Sequence, residues 1–166
     1  MLSSSPKLRV SRRLALLAGL ALAACGFEPV YAPGGAALAL RDQVLVESGT
    51  APFDYRLRTA LEDRLGPTGS PVFRLVVAST VDEVTAAVAP DGSITRFNLT
   101  GTATWTLGDV QGGPALASGQ VSSFTSYSTT GSTVATRAAE NDARDRLAIA
   151  LADLILARLI VAAQGL

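Results

Sequence analysis

Arg96-Phe97-Asn98-Leu99-Thr100-Gly101-Thr102-Ala103-Thr104-Trp105-Thr106-Leu107 is the clearest alternating stretch in the chain. Phe97, Leu99, Ala103, Trp105 and Leu107 share one face, and Arg96, Asn98, Thr100, Thr102, Thr104 and Thr106 share the other. Side chains of a strand point alternately to opposite faces, so this stretch predicts an antiparallel sheet with one packed face and one wet face. Just upstream, Pro90-Asp91-Gly92 is a strong hairpin signal. Before that turn, Phe73, Leu75 and Val77 alternate with Arg74, Val76 and Ala78, which starts a long strand running to about Val88. Residues 80–95 hold only Val81, Val84, Val88 and Ile94 as large apolar side chains, so the far half of the hairpin is expected to project beyond whatever covers the sheet. Downstream, Gly112-Gly113-Pro114 turns the chain into a serine-rich fourth strand at 115–127, whose weaker alternation leaves its register open.

Two helices complete the pattern. Leu57, Ala60, Leu61 and Leu65 recur at helical spacing, Pro52 and Phe53 open the element, Asp54 serves as N-cap or first-turn acid, and Gly66-Pro67 closes it. After Gly131-Ser132-Thr133 no glycine or proline interrupts the chain until Gly165, which predicts a helix of about 30 residues and about 45 Å. Its first half is charged, with Arg137, Glu140, Asp142, Arg144, Asp145 and Arg146. Residues 147–163 are apolar nearly all round except for Asp153 and Arg158, so burial on most sides is expected, across the sheet beside the first helix or against another protein. A short first strand at 40–47 places Val44 and Val46 on one side and Leu45 on the other. The order strand, helix, three strands, helix defines an α+β two-layer sandwich: a four-stranded, mostly antiparallel sheet with two helices packed on one face.

The amino terminus carries a different kind of signal. Lys7, Arg9, Arg12 and Arg13 precede the apolar run from Leu14 to Leu22, and then come Ala23, Ala24 and the sole cysteine, Cys25. The run is shorter than the roughly 20 apolar residues that a spanning helix needs. A charged segment, an apolar segment and small residues before a cysteine resemble a bacterial lipoprotein signal, with Cys25 as the lipid acceptor. A thiol is the strongest side-chain nucleophile available for alkylation by a lipid donor. Ser11-Arg12-Arg13-Leu14 resembles a twin-arginine export signal without completing it, and the general secretory route is the preferred reading. Residues 1–24 are therefore expected to form a signal peptide, 25–39 an extended lipid-anchored linker punctuated by Pro29 and Pro33, and 40–166 a single domain.

Composition narrows the function. Cleavage before Cys25 would leave ten basic and fourteen acidic residues, a balance of −4. That is not the basic footprint of a nucleic-acid binder. Histidine is absent and a lipidated Cys25 leaves no thiol, which removes Ser-His-Asp and Cys-His catalysis and the usual zinc ligands. The adjacent acids Glu62-Asp63 and Asp82-Glu83 would point in different directions along a helix or strand, so neither is a catalytic carboxylate pair. No enzyme activity, metal or cofactor is expected beyond the covalent lipid on Cys25.

Cys25-Gly26-Phe27 with Pro29-Val30-Tyr31, the helix 57–65, the Asp-Gly hairpin, and a terminal helix bearing Ala139, Asp142, Ala143, Arg146 and Leu151-Ala152-Asp153 together resemble the LptE family of lipopolysaccharide-assembly lipoproteins, in its alphaproteobacterial form. The resemblance spans nearly the whole chain after Cys25. It implies the same two-layer fold, an outer-membrane anchor facing the periplasm, and a one-to-one partnership as the plug of a large LptD-like β-barrel that inserts lipopolysaccharide. It also implies binding of lipopolysaccharide itself. Every basic side chain after Cys25 is arginine, whose planar fork suits phosphate and carboxylate. Arg96, on the polar strand face near the hairpin end, and Arg74 are the candidate lipopolysaccharide contacts, and Asp91, Gly92 and Ser93 at the turn are the candidate partner interface. A second reading, an auxiliary lipoprotein of another envelope lipid transporter, would share the lipidated cysteine and the α+β domain.

Several acyl chains, each contributing about 0.8 kcal/mol per buried methylene, would anchor the protein permanently where one myristoyl chain would not. Cys25→Ala is therefore expected to abolish incorporation of labelled palmitate and to release the protein from membranes. Labelling that persists in the variant would remove Cys25 as the acceptor.

Overall fold

The computed structural model describes residues 35–129 and 131–165. Cys25, the signal segment and most of the expected linker lie outside the described residues. The elements in order are α1 (Ala36–Leu40), β1 (Val44–Ser48), α2 (Pro52–Leu65), β2 (Phe73–Val88), β3 (Ile94–Asp109), β4 (Ala117–Ser128) and α3 (Thr133–Ala163). Four strands form one open sheet in the order β1-β2-β3-β4. Tight turns join β2 to β3 and β3 to β4, which makes those pairs antiparallel, whereas α2 carries the chain back so that β1 lies parallel to β2. The α+β sandwich with a mostly antiparallel sheet is thus the observed architecture.

The odd-numbered row of β3 faces the helices. Leu99, Ala103, Trp105 and Leu107 are buried there, with Leu75 and Val77 of β2 and Val44 and Val46 of β1 beside them. Above them α2 contributes Phe53, Leu57, Ala60, Leu61 and Leu65, and α3 contributes Ala143, Leu147, Ala148, Leu151, Ala152, Ile155 and Leu159. Each helix buries a stripe at spacings of three and four, as an amphipathic helix on a sheet must. The two helices run parallel: Arg56 pairs with Asp145 and Arg64 with Asp153, a step of eight residues on both. Such half-exposed pairs contribute little stability, about 0.2–1 kcal/mol each, but they set the register between the helices.

Two glycines set how closely layers and strands approach. A Cβ on Gly101 would lie 2.9 Å from Leu151 Cδ1 and 3.0 Å from Leu147 Cδ2, so α3 sits directly on the backbone of β3 at that point. On β4, Gly119 is paired with Trp105, and a Cβ there would lie 2.9 Å from the indole Cζ2. The inner row of β4 reads Ala117, Gly119, Val121, Ser123, Thr125 and Tyr127. Its alternation is weak in sequence because small residues occupy positions that the neighbouring indole and α3 already fill.

Four expectations change. Residues 36–39 are not extended, for the proline restraint ends at Pro33 and Ala36-Ala37-Leu38-Ala39-Leu40 is rich in the best helix formers, so a short helix forms and buries Leu40. Strand β1 accordingly starts at Val44 rather than residue 40, and β4 starts at Ala117 rather than 115. The second half of α3 is not buried on most sides: Ile149, Leu154 and Val161 are exposed, because one sheet face and one neighbouring helix cover only part of its circumference. The far half of the hairpin does project, with residues 82–88 and 90–96 all exposed.

Gly101→Val places two methyl groups where Leu147 and Leu151 now lie, and overpacking of this kind costs about 1–3 kcal/mol. Urea unfolding should show that loss. An unchanged midpoint would mean that α3 is not seated on β3.

Candidate interaction site at the distal hairpin

The hairpin tip is tightly built. Gly92 takes φ +84°, a conformation for which glycine is suited, and its N–H donates to Ala89 O at 2.9 Å. Ala89 N–H donates to Ser93 O at 2.8 Å. The Asp91 carboxylate accepts from Ser93 Oγ at 2.7 Å and from Ser93 N–H at 3.0 Å. These two donors, the hydroxyl first, hold the Asp91 carboxyl below its ordinary value. Asp91, Gly92 and Ser93 are therefore brought together as one ordered, fully exposed turn.

Behind the tip, β2 departs from regular pairing between Thr85 and Ala87. Val84, Val88 and Ile94 are 61%, 58% and 41% exposed. The projecting half thus presents apolar side chains beside a polar turn, on a segment with no core of its own. Arg96 is exposed on the sheet face away from the helices and makes no hydrogen bond or ion pair within the described residues. Arg74 differs: it pairs with Glu47 at 3.5 Å and donates to Val110 O at 3.3 Å. In the β2–β3 register Arg74 lies opposite Gly108, twelve residues along β3 from Arg96, or roughly 40 Å at the rise of a strand. The structure does not bring the two candidate arginines together.

Where the covered sheet meets the projecting hairpin, a polar cluster fastens the two. Tyr127 stacks on Phe97 with centroids 5.3 Å apart. Arg144 of α3 reaches Glu83 of β2 at 3.5 Å and Glu140 at 2.9 Å. Burial pushes the Tyr127 phenol up to about 12, and the charge of Glu83 and the hydrogen bond to it add to the shift. At the start of α2, the buried Asp54 accepts from Ser79 Oγ and from Ala51 N–H at 3.2 Å. Ala51 is the N-cap, so Asp54 acts three residues into the helix, closing its first turn. These clusters combine residues far apart in the chain, and the only sequence signal for them was the acid near the start of α2.

Between α2 and α3 a groove of about 580 Å³ is lined by Tyr55, Thr59, Ala60, Ala148 and Ile149, with Arg56 and Asp145 pairing across it. Among the described residues there is no cluster of three potential metal ligands and no helix long and apolar enough to cross a membrane.

The fold and the displayed surface define the chain as a two-layer α+β domain that presents an exposed hairpin beyond its helices. The family model for lipopolysaccharide-assembly proteins, LptE, matches residues 42–159, and the chain belongs to that family. Comparison with curated proteins by sequence finds no match. Among solved structures the fold is similar to a putative lipoprotein from Caulobacter crescentus, with TM-score 0.68 and 21% identity, covering 80% of this chain and 98% of that one. It is also similar to the rare lipoprotein B from Shewanella oneidensis, with TM-score 0.56 and 15% identity over 74% of this chain and 97% of that one. A minor lipoprotein from Acinetobacter baumannii follows at TM-score 0.52 and 17% identity, covering 72% and 91%.

The shift of Tyr127 has a definite sign. Its folded value, about 12, lies above the ordinary 10.0, so folding favours the neutral phenol, and this contribution is complete below pH 10 and lost as pH rises to 12. Ultraviolet titration should show a tyrosine ionising near 12, and Glu83→Gln should lower it by the part that the Glu83 charge and hydrogen bond supply, burial still holding it above 10. A Tyr127 that titrates normally would mean that its phenol is not held buried against Glu83 in solution.

Proposed function

We propose that this chain is an outer-membrane lipoprotein, anchored through Cys25 and facing the periplasm, that assembles one-to-one with the lipopolysaccharide-inserting β-barrel and plugs its lumen. In this reading residues 1–24 are the signal peptide, the segment after Cys25 leads to the domain, and the protein is not an enzyme. It binds lipopolysaccharide during transport, with Arg96 as the candidate contact because it is exposed and uncommitted, while Arg74 is held by Glu47. The observation that carries the reading is the family match over residues 42–159.

The surface is consistent with that role. The lumen of a large outer-membrane barrel is polar and wet while its outer wall faces lipid. The outer face of β3 presents Thr100, Thr104 and Thr106 to solvent, and the tip beyond them carries Asp91, Ser93, Val84, Val88 and Ile94, a mixture suited to such an enclosure. An assembly of this permanence is expected to bury upward of about 1,600 Å².

Photo-crosslinkers at Asp91 and Ser93 in the full chain are expected to capture one large outer-membrane barrel protein, and affinity purification should yield the same protein in equal amount. Crosslinks confined to inner-membrane proteins would replace this reading with that of an auxiliary lipoprotein of another lipid transporter.

A further inference from the structure

The sheet is open, and its two edges differ. Strand β1 is five residues long and pairs β2 only as far as Val77. Beyond that point the free edge of β2 carries Asp82 and a pairing irregularity near Ala86, both of which blunt an edge. Strand β4 has neither protection. It is twelve residues long, and no charged residue occurs from Val110 to Thr136, with Pro114 lying in the turn before it.

Backbone geometry shows which groups are open. Thr129 N–H donates to Thr95 O, and such bonds recur at every second residue of an antiparallel ladder. The odd-numbered residues of β4 therefore turn their backbone groups towards β3. Ser118, Gln120, Ser122, Phe124 and Ser126 turn theirs away from it. Arg146 of α3 donates to Ser126 O at 3.3 Å and to Thr125 Oγ1 at 3.1 Å, which closes one end of this row. The stretch from Ser118 to Phe124 stays open, with all four even-numbered side chains exposed and Phe124 77% exposed.

A shelf stands above this edge. Leu154 and Val161, 42% and 66% exposed, are seven residues apart on α3. At 100° per residue they fall on the flank of α3 roughly opposite the Asp145, Ala148 and Ile149 side that meets α2. A strand laid beside β4 would pass its inward side chains beneath this flank and set an outward one against Phe124.

We infer that β4 is a strand-addition site that receives an extended segment of the barrel protein, apolar at alternate positions; this rests on the function proposed above. A row of alternating N–H and C=O groups is complementary to an extended polypeptide and not to lipid. A second copy fits less well, since two β4 edges paired antiparallel would bring the exposed Arg158 of each copy towards the edge of the other, Arg146 being already paired with Asp142 at 2.9 Å. The segment is accordingly one without basic residues.

The test places a photo-crosslinker at Gln120 in the full lipidated chain, beside the crosslinkers at Asp91 and Ser93, and adds Ser122→Pro. Proline at Ser122 removes an edge donor that points away from β3, so the sheet is retained, and thermal melting by circular dichroism checks this. Gln120 is expected to capture the barrel protein, and Ser122→Pro to reduce that capture by about tenfold or more, while Val81→Pro, whose backbone groups turn away from β3 at the opposite edge, leaves it unchanged. Capture of only a second copy, or of no protein, at Gln120 while Asp91 still captures the barrel would overturn the edge inference and leave the barrel reading intact. Loss of the barrel from all three positions and from the purified material would overturn the barrel reading, and the edge inference with it.

Discussion

The contact of α3 with the backbone of β3 at Gly101 governs the rest of the domain. Because no Cβ intervenes, Leu147 and Leu151 descend onto the strand, and the helix lies flat over β3 and β4. With α3 in that position α2 fills the remaining width above β1 and β2, and small residues, Ala60, Ala148 and Ala152, lie buried in the two helices where they come together. The sheet is thereby covered on one face and along part of its length only. Everything that is functionally suggestive follows from what that single layer leaves uncovered.

The boundary of the covered region is polar rather than apolar. Glu83, Arg144, Glu140 and Tyr127 fasten the hairpin to the first half of α3, and the charged run in that half sits where the core has already ended. Past this boundary both faces of the β2–β3 hairpin meet solvent, so its conformation is held by ladder hydrogen bonds and by the Asp91–Ser93 turn rather than by packing. A projecting ribbon of this kind can be inserted into a partner without disturbing the domain behind it.

For a member of a lipopolysaccharide-assembly family this division is coherent. The arrangement separates a stable half, where two helices and the sheet share one core, from a presented half, where Arg96, Val84, Val88 and Ile94 are free to meet a partner or a ligand.

Period-two alternation in 96–107, helical spacing in 57–65 and the uninterrupted stretch after Ser132 determined strand, helix and layer order, since these periods reflect which side of an element faces water. The charged and apolar run before Cys25 is likewise a pattern carried by local sequence alone. Tertiary structure alone decided how far each apolar stripe is satisfied: Ile149, Leu154 and Val161 are as apolar as Leu147 and Leu151, and only the position of the sheet and α2 separates exposed from buried. It also decided that Arg74 is committed to Glu47 and lies far from Arg96, and that β4 ends the sheet with an uncharged edge. These depend on which segments meet across 20 to 90 residues of chain, and neither the periodicity nor the composition of a single segment carries that information.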